Sequence, residues 1–412
     1  MNESLGGRSR SLRVSMVVWN TFENDARVLK EAETLARSGW RVVVHALHTP
    51  GETEPQEELA SGVRVRRVMR SPAYWFWPMR PKPRQASRKA TPGERGLLRM
   101  AMLVCSRLIT QLSLLVRLIQ SRPDVVHAHD VNVLPTGWLA AVFTRARLVY
   151  DAHEISTSRE GYGRVRGLVA CVERRLASRT DAMITTTELR ARFFARAYGV
   201  SRPTVLYNWP PCSPHRESNR IQEELGLRDN LPVVLYQGGL QAGRGLNLLL
   251  KAAKEVENAH FVFIGGGRLE AELKAKVSES GLSEHVHFIS TVPVQELPSY
   301  TASADIGVQP LENTCFNHFT TDSNKLFEYL AAGLPVVCTE LPVMARVVRD
   351  WDVGRLVPPG DGSELAAEIR SLVDAPDERE RLALNAREAA RHFCWERQEH
   401  KLVSLYQEFV RK

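Results

Sequence analysis

What most constrains this chain is a rhythm that runs through nearly all of it. Short apolar runs, at Val14–Trp19, Arg41–His45, Val63–Val68, Val125–Ala128, Leu148–Tyr150 and Ala182–Thr185, are separated by stretches with helical periodicity. The stretch Asp25–Ser38 is a clear example, amphipathic along its length and closed by Gly39. Alternation of this kind is what parallel strands joined by helical crossovers require, so the fold class is α/β. The rhythm stops at Asn208–Asn219, where Pro210, Pro211 and Pro214 break both periodicities. It restarts with Val233–Gln237, Phe261–Ile264, Val286–Ile289, Ile306–Gln309 and Val336–Cys338. A chain of 412 residues interrupted once in this way is two doubly wound domains and not one core. The boundaries read as 1–209 and 220–390, with 391–412 as a closing helical segment that packs back on the first domain.

Charge divides at the same place. Residues 1–210 hold 33 Lys and Arg against 18 Asp and Glu, and the remainder holds 22 against 29, so the halves carry +15 and −7. Fields of opposite sign bear on association and not on fold, and they imply that the basic half faces something anionic. Nine basic residues and no acidic ones lie between Arg64 and Lys89, around Tyr74, Trp75, Phe76 and Trp77. Rings beside cations suit the boundary between water and lipid, where phosphates and headgroups meet; a loop covering a core edge is the plainer alternative. The clustered aromatics do not fit a nucleic-acid surface, where rings and charges interleave. Residues 97–120 are apolar, but Arg99, Ser106, Thr110, Ser113, Arg117 and Gln120 fall on one stripe of a helix. That pattern reads as a helix packed on the sheet before Val125, with an in-plane membrane helix as the alternative.

Cys105, Cys171, Cys212, Cys315, Cys338 and Cys394 show no CxxC spacing and no short-range pairing, which suits a reducing compartment. No apolar leader follows the basic residues near Met1.

Four motifs can carry chemistry. In NKLFEYLAAGLPVV, Asn324–Val337, Lys325 and Glu328 lie three apart and share one helix face at the expected carboxyl edge of the second sheet. A cation there suits a diphosphate, and a carboxylate can accept hydrogen bonds from ribose hydroxyls; an ordinary surface pair would be worth little. YQGGLQAGRGLNLLLKA, Tyr236–Ala252, puts Gly238, Gly239, Gly243 and Gly245 in a turn between strand and helix, with Arg244 as an added donor. IGGGR, Ile264–Arg268, repeats the device at the next strand with Gly266 and Arg268. In the first half, PDVVHAHD and VYDAHE place His127, His129, Asp130 and His153 at strand ends. Metal ligation is one reading, though no HxxxH or cysteine spacing supports it; a polar contact or proton handler for substrate is the other.

The order of these motifs, with NDARVLKEAETLARSGWRVVV at the start and FCWERQEHKLVSLY at the end, resembles the family 4 glycosyltransferases of the GT-B fold from about Arg13 to Phe409. The resemblance implies two Rossmann-like domains facing across a cleft, the first taking the acceptor and the second the nucleotide-sugar, with transfer usually by retention and without a metal or other cofactor. Residue by residue, it implies that Glu328 holds the donor ribose, Arg244 contacts the diphosphate, His153 lies near the donor sugar and reacting centre, and Asn324 and Lys325 lead the Glu-bearing helix. Arg268 enters as an edge contact.

Three departures accompany it. Thr320 stands where the family's Glu-x7-Glu pair has its first glutamate, leaving Asp322 or backbone to make that contact. Gly239 replaces an arginine common five residues before Arg244, leaving Lys325 to supply the charge. WNTFENDARV, Trp19–Val28, replaces a glycine-rich loop and offers Asn20, Asn24 and Asp25, with His129 and Asp130, to an acceptor. The implied activity is transfer of a sugar from a UDP- or GDP-linked donor to a glycan or lipid-linked acceptor, by an enzyme peripheral to the cytoplasmic face of a membrane through 64–89 and 97–120. A non-catalytic nucleotide-sugar binder and a nucleotide-sugar epimerase are the alternatives on the same fold.

Overall fold

The computed structural model describes residues 11–70, 95–159, 163–214 and 216–411. The chain divides into two compact units, Met1–Leu206 with Glu399–Lys412, and Tyr207–Gln398.

Unit 1 contains β1 (Arg13–Val17), α1 (Ala26–Arg37), β2 (Arg41–His48), β3 (Gln56–Glu58), β4 (Arg64–Met69), α2 (Arg95–Gln120), β5 (Val125–His129), α3 (Leu134–Thr144), β6 (Arg147–Ala152), α4 (Arg166–Ala177), β7 (Ala182–Thr185), α5 (Glu188–Tyr198) and β8 (Thr204–Val205). Its sheet runs β3-β4-β2-β1-β5-β6-β7-β8, parallel except at the β3 edge. Chain order reverses between β1 and β5, which pair from Val14–Val125 to Val17–Ala128. In an open α/β sheet the carboxyl ends at such a reversal leave a crevice for ligands. Val17, Val126, Leu148 and Tyr150 bury their side chains against Leu114, Leu118 and Phe194.

Unit 2 contains α6 (Arg220–Leu225), β9 (Val233–Gln237), α7 (Leu246–Glu255), β10 (His260–Ile264), α8 (Glu270–Glu279), β11 (Val286–Ile289), α9 (Leu297–Thr301), β12 (Ile306–Gln309), α10 (Phe316–Phe319), α11 (Asn324–Ala331), β13 (Val336–Thr339), α12 (Pro342–Trp351), β14 (Gly354–Val357), α13 (Gly362–Val373) and α14 (Pro376–Ala390). The sheet is all parallel in the order β11-β10-β9-β12-β13-β14, reversing between β9 and β12. The first glycine loop therefore follows a switch-point strand. Every residue of β9 and β10 is buried, as strands covered on both faces must be.

The chain returns to unit 1 at Glu399, later than the 391 boundary read from sequence. Residues before that point stay in unit 2, where the Trp395 amide donates to Pro210 O at 2.8 Å and Gln398 Nε2 donates to Tyr207 O at 2.6 Å. Cys212 and Cys394, 182 residues apart in sequence, are joined there by a disulfide, a pairing that no short-range spacing announces. The last helix, α15 (Glu399–Arg411), packs in unit 1 through Tyr406, stacked on Trp40 at 5.4 Å and hydrogen-bonded to His127 at 2.9 Å.

Two sequence expectations are corrected. The middle of the polar stripe of α2 turns inward: Thr110 is buried and its hydroxyl donates to Arg70 O, and Ser106 bonds the same carbonyl, while Arg117 and Gln120 are exposed. Leu103, Leu108 and Leu112 are instead 63%, 62% and 60% exposed. Among the described side chains of α2 only the last turns, through Leu114 and Leu118, join the core, so from Ala101 onward it is not a sheet-packing helix along its length. By length and composition it is also sufficient to cross a membrane. Second, Arg64 and Arg67 are not free for anions, because each pairs with a carboxylate of the antiparallel edge strand, Glu58 and Glu57. Tyr74–Trp77, the basic residues from Arg80 to Lys89 and the Arg99 side chain lie outside the described residues.

Candidate active site

In unit 2 the helix α11 is fixed from beneath. The Tyr329 hydroxyl is within hydrogen-bond distance of Leu235 O and Val308 O, at 3.2 and 3.3 Å, and accepts the Gln237 amide at 3.2 Å. Gly307 on β12 makes room for that ring, since a methyl there would sit 2.4 Å from it. With Tyr329 locked, the neighbouring positions of the same helix carry Lys325 and Glu328 to the carboxyl edge of β9. Glu328 accepts a 2.6 Å hydrogen bond from Gln237 Nε2, and Gln237 Oε1 accepts one from the Thr301 hydroxyl at 2.8 Å. The carboxylate is thereby aimed, with its remaining lone pairs free for a ligand.

Lys325 lies across the first glycine loop. A methyl on Gly238 would come 2.6 Å from its Cε, and Gly238 itself has φ of 120°, so only glycine fits under the lysine. The two glycine loops interlock through Leu240 N to Gly266 O at 3.0 Å, and a methyl at Gly265 would sit 2.3 Å from Gly238 O. Burial and the positive charge of Arg244, partly offset by Glu328, push the Lys325 ammonium down to about 8. Arg244 has no hydrogen-bond or ion-pair partner among the described residues, and neither does Lys325. The arrangement is a pair of unspent cations, a carboxylate and a glycine-lined edge.

The other unit 2 candidates divide. Asn324 is exposed at the first position of α11, and Arg268 is exposed without a partner among the described residues. Gly239 and Gly266 stay at the loop surface. Thr320 is fully buried and its hydroxyl donates to Phe316 O within its own helix turn, while Asp322 is buried and accepts the Asn208 amide at 3.2 Å. Asp322 is thus already engaged where the sequence offered it as a substitute acid. Sequence reasoning missed Glu312, which accepts the Gly245 amide at 3.3 Å and donates its own amide to Gly243 O at 3.0 Å, clamping both sides of Arg244. It also missed Gln237, the residue that orients Glu328; its position at the end of β9 was the available signal.

Unit 1 builds its carboxyl edge differently. Asp151, at the end of β6, receives Arg27 in a two-pronged pair at 2.7 and 2.8 Å, His153 Nε2 at 2.9 Å and His129 Nδ1 at 3.4 Å. Arg27 also donates to Leu206 O at 2.7 Å and lies 3.3 Å from Glu31. Burial would raise the Asp151 carboxyl, but Arg27 and His153 hold it well below its usual range. Burial would lower His153, yet Asp151 and Asp130 outweigh it and leave the imidazole raised to about 9, an imidazolium at neutral pH. Burial and the nearby Asp151 push Glu31 up to about 8, so it is a neutral acid. Ligand atoms of Glu31, His127, His129 and Asp151 lie within 4.8 Å of one another, but the cation among them is the Arg27 guanidinium. The spacing argument from sequence could not see this cluster, because its members come from three separate elements.

The acceptor-side candidates also separate. His153 is partly exposed, whereas His129 is buried behind it at 3.3 Å and is corrected from surface contact to support. Asp130, in a left-handed conformation with φ of 66°, accepts the His153 amide at 3.2 Å. Asn20 and Asp25 bond each other at 2.7 Å, and Asp25 caps α1 through the Val28 amide, so both are spent on loop structure. Asn24 is exposed.

Comparison with known proteins identifies the family. The family model described as "Glycosyl transferase 4-like domain" matches residues 25–209, and "Glycosyl transferases group 1" matches 217–389. A D-inositol 3-phosphate glycosyltransferase of Xylanimonas cellulosilytica is 25% identical over 93% of this chain and 91% of its own. Sucrose-phosphate synthase of Thermosynechococcus elongatus superposes with a TM-score of 0.76 at 17% identity, covering 97% of this chain and 99% of that one. HepE of Anabaena, solved with UDP and glucose, gives 0.73 at 18% identity over 96% and 100%. The chain belongs to the family 4 glycosyltransferases and has the GT-B fold, and it is an enzyme of the glycosyltransferase type.

Proposed function

We propose that this glycosyltransferase takes a UDP- or GDP-linked sugar on unit 2 and transfers the sugar, with retention, to a membrane-associated glycan or lipid-linked acceptor in polysaccharide or glycoconjugate synthesis. The observation that carries the donor reading is the convergence of Arg244, Lys325 and Glu328 on the carboxyl edge of β9, with both cations unspent. A departing nucleoside diphosphate gains negative charge, and a guanidinium and an ammonium fixed beside glycine-loop amides are suited to stabilise it. Gln237-oriented Glu328 suits the ribose hydroxyls. The bond broken joins the anomeric carbon to the diphosphate oxygen, and the bond formed joins that carbon to the acceptor oxygen. The acceptor proton passes to the departing phosphate on the same face. His153, held cationic by Asp151, serves as a fixed donor to a sugar or acceptor oxygen and not as a base. No step requires a metal or cofactor.

The membrane part of the reading is supported by the exposed apolar side of α2. We place the enzyme on the cytoplasmic face, peripheral to the bilayer, where nucleotide-sugars are at hand.

Thermal-shift measurement with UDP-, GDP- and ADP-sugars tests the donor reading and names the base. A shift with one nucleotide class, lost in Arg244→Ala and Glu328→Ala, is the expected result. Full donor affinity in both variants would refute the site. Product anomeric configuration by NMR then decides retention.

A further inference from the structure

At the opposite, amino-terminal edge of the unit 1 sheet lies a cavity of about 740 Å³ that the proposed reaction does not use. It is bounded by the starts of β1, β5 and β6 and by the last turns of α2, α3 and α15. Arg13, Arg122, Arg145 and Arg147 line it against a single carboxylate, Asp124. Arg13 is paired with Asp124 at 3.1 Å, and Arg147 with Asp181 at 2.7 Å. Arg122 and Arg145 have no ion-pair or hydrogen-bond partner among the described side chains.

Those two residues also occupy costly backbone positions. They close α2 and α3 in the left-handed region, with φ of 46° and 56°. At such helix ends glycine is the easy choice, and this chain uses it for the same purpose at Gly199 and Gly226. Attraction to the helix dipole explains a cation in the last turn but not one forced into a left-handed position. Retention of arginine at both ends, beside one cavity, points to work for the guanidinium heads.

The cavity's walls are not purely polar. Phe143 and Phe409 line it, and Phe143 is 66% exposed. Phe143 and Val142 sit on α3, which packs against α2, and Val116, Leu112 and Leu108 of α2 are exposed as well. A soluble anion would use the guanidiniums and leave the rings in water. A phosphate bonded to acyl chains satisfies both, because the headgroup meets the arginines while its hydrocarbon continues along the apolar side.

We infer that this cavity binds the phosphate headgroup of an anionic phospholipid in a bilayer, a second contact that anchors unit 1 away from its catalytic edge. The inference rests on the membrane reading proposed above. It specifies which charges read the lipid.

Vesicle flotation tests it, using the full chain and vesicles of phosphatidylcholine with and without phosphatidylglycerol. At about one kcal/mol for each basic residue near an anionic surface, Arg122→Gly with Arg145→Gly weakens binding to phosphatidylglycerol vesicles about thirty-fold. The same variant keeps or raises its melting temperature, since glycine relaxes both left-handed positions, so weaker binding cannot be laid to misfolding. Equal binding by the glycine variant and the parent overturns the headgroup site while leaving the membrane reading standing. Failure of the parent to float with either vesicle overturns both. Leu108→Glu with Leu112→Glu should lose flotation with both vesicles, which isolates the apolar contribution. An arginine-dependent melting shift with inorganic phosphate, with no preference for phosphatidylglycerol vesicles, assigns the cavity to a soluble anion and overturns the lipid assignment.

Discussion

The two units place charge at the carboxyl edge of the same kind of sheet and treat it in opposite ways. Unit 1 closes its charges on one another: Asp151 is held by Arg27, His129 and His153 in a buried cluster that leaves only the His153 ring partly open. Unit 2 leaves Arg244 and Lys325 without hydrogen-bond or ion-pair partners among the described residues, the lysine lying over the Tyr236 ring, and orients Glu328 through a neutral amide. A closed cluster fixes geometry, whereas open cations store an unfavourable proximity that a bound anion relieves. The first arrangement suits a positioned contact and the second a charged ligand that comes and goes.

The sharpest way to break this contrast is to remove the centre of the closed cluster. Asp151→Ala leaves the Arg27 guanidinium buried without its carboxylate, a loss on the order of 3–5 kcal/mol. Denaturant unfolding should show it as a lower midpoint with an unchanged slope. A variant as stable as the parent would mean that the cluster is not closed as described.

The open site should respond in the reverse manner. Arg244→Ala removes a half-buried cation with no protein partner, so unfolding should barely change while nucleotide-sugar affinity falls about 100-fold, the scale of one or two charge-assisted hydrogen bonds. Glu328→Ala should match it in binding. Calorimetric titration checks affinity, and a stability loss comparable to that of Asp151→Ala would erase the distinction between the units.

How much of this was legible in the sequence follows the same line. The strands of both sheets stand out because covered parallel strands are continuous apolar runs, while β3, β8 and β14 escape notice as short edges. Lys325, Glu328 and Arg244 are readable because helix spacing and glycine turns are local signals. The Arg27–Asp151–His153 cluster is not, since it joins residues 124 positions apart through tertiary packing. Helix α2 misleads for a physical reason: periodicity gives two faces but not which one looks inward, and here the hydroxyls of Ser106 and Thr110 face the domain because Arg70 O needs donors there.

The closed cluster should also be visible in pH. His153 has its folded value raised to about 9 from an ordinary 6.5, so its contribution is fully present below 6.5 and is lost as pH rises through 9. Measured between pH 6 and 10, stability should fall by about 3 kcal/mol from this group, and His153→Gln should flatten that part of the curve. A parent curve with the same slope as the variant would show that the imidazole carries no extra proton.

The smallest effect belongs to Lys325, and it has the opposite origin. Its ammonium is pushed down to about 8 because burial and Arg244 disfavour the charge, so the unliganded site loses a cation as pH rises past 8. A diphosphate binds the protonated form, and affinity for the nucleoside diphosphate should therefore decline by up to about tenfold for each pH unit above that value. Lys325→Arg keeps the charge throughout this range and should remove the decline, although the larger fork will crowd Gly238, where the lysine stem already fills the space a methyl would take. Flattening without full affinity is accordingly the expected signature of the arginine variant. A parent profile level from pH 7 to 10 would mean that the lysine keeps its proton unaided, and that unit 2 is less strained by its own cations than the contrast with unit 1 requires.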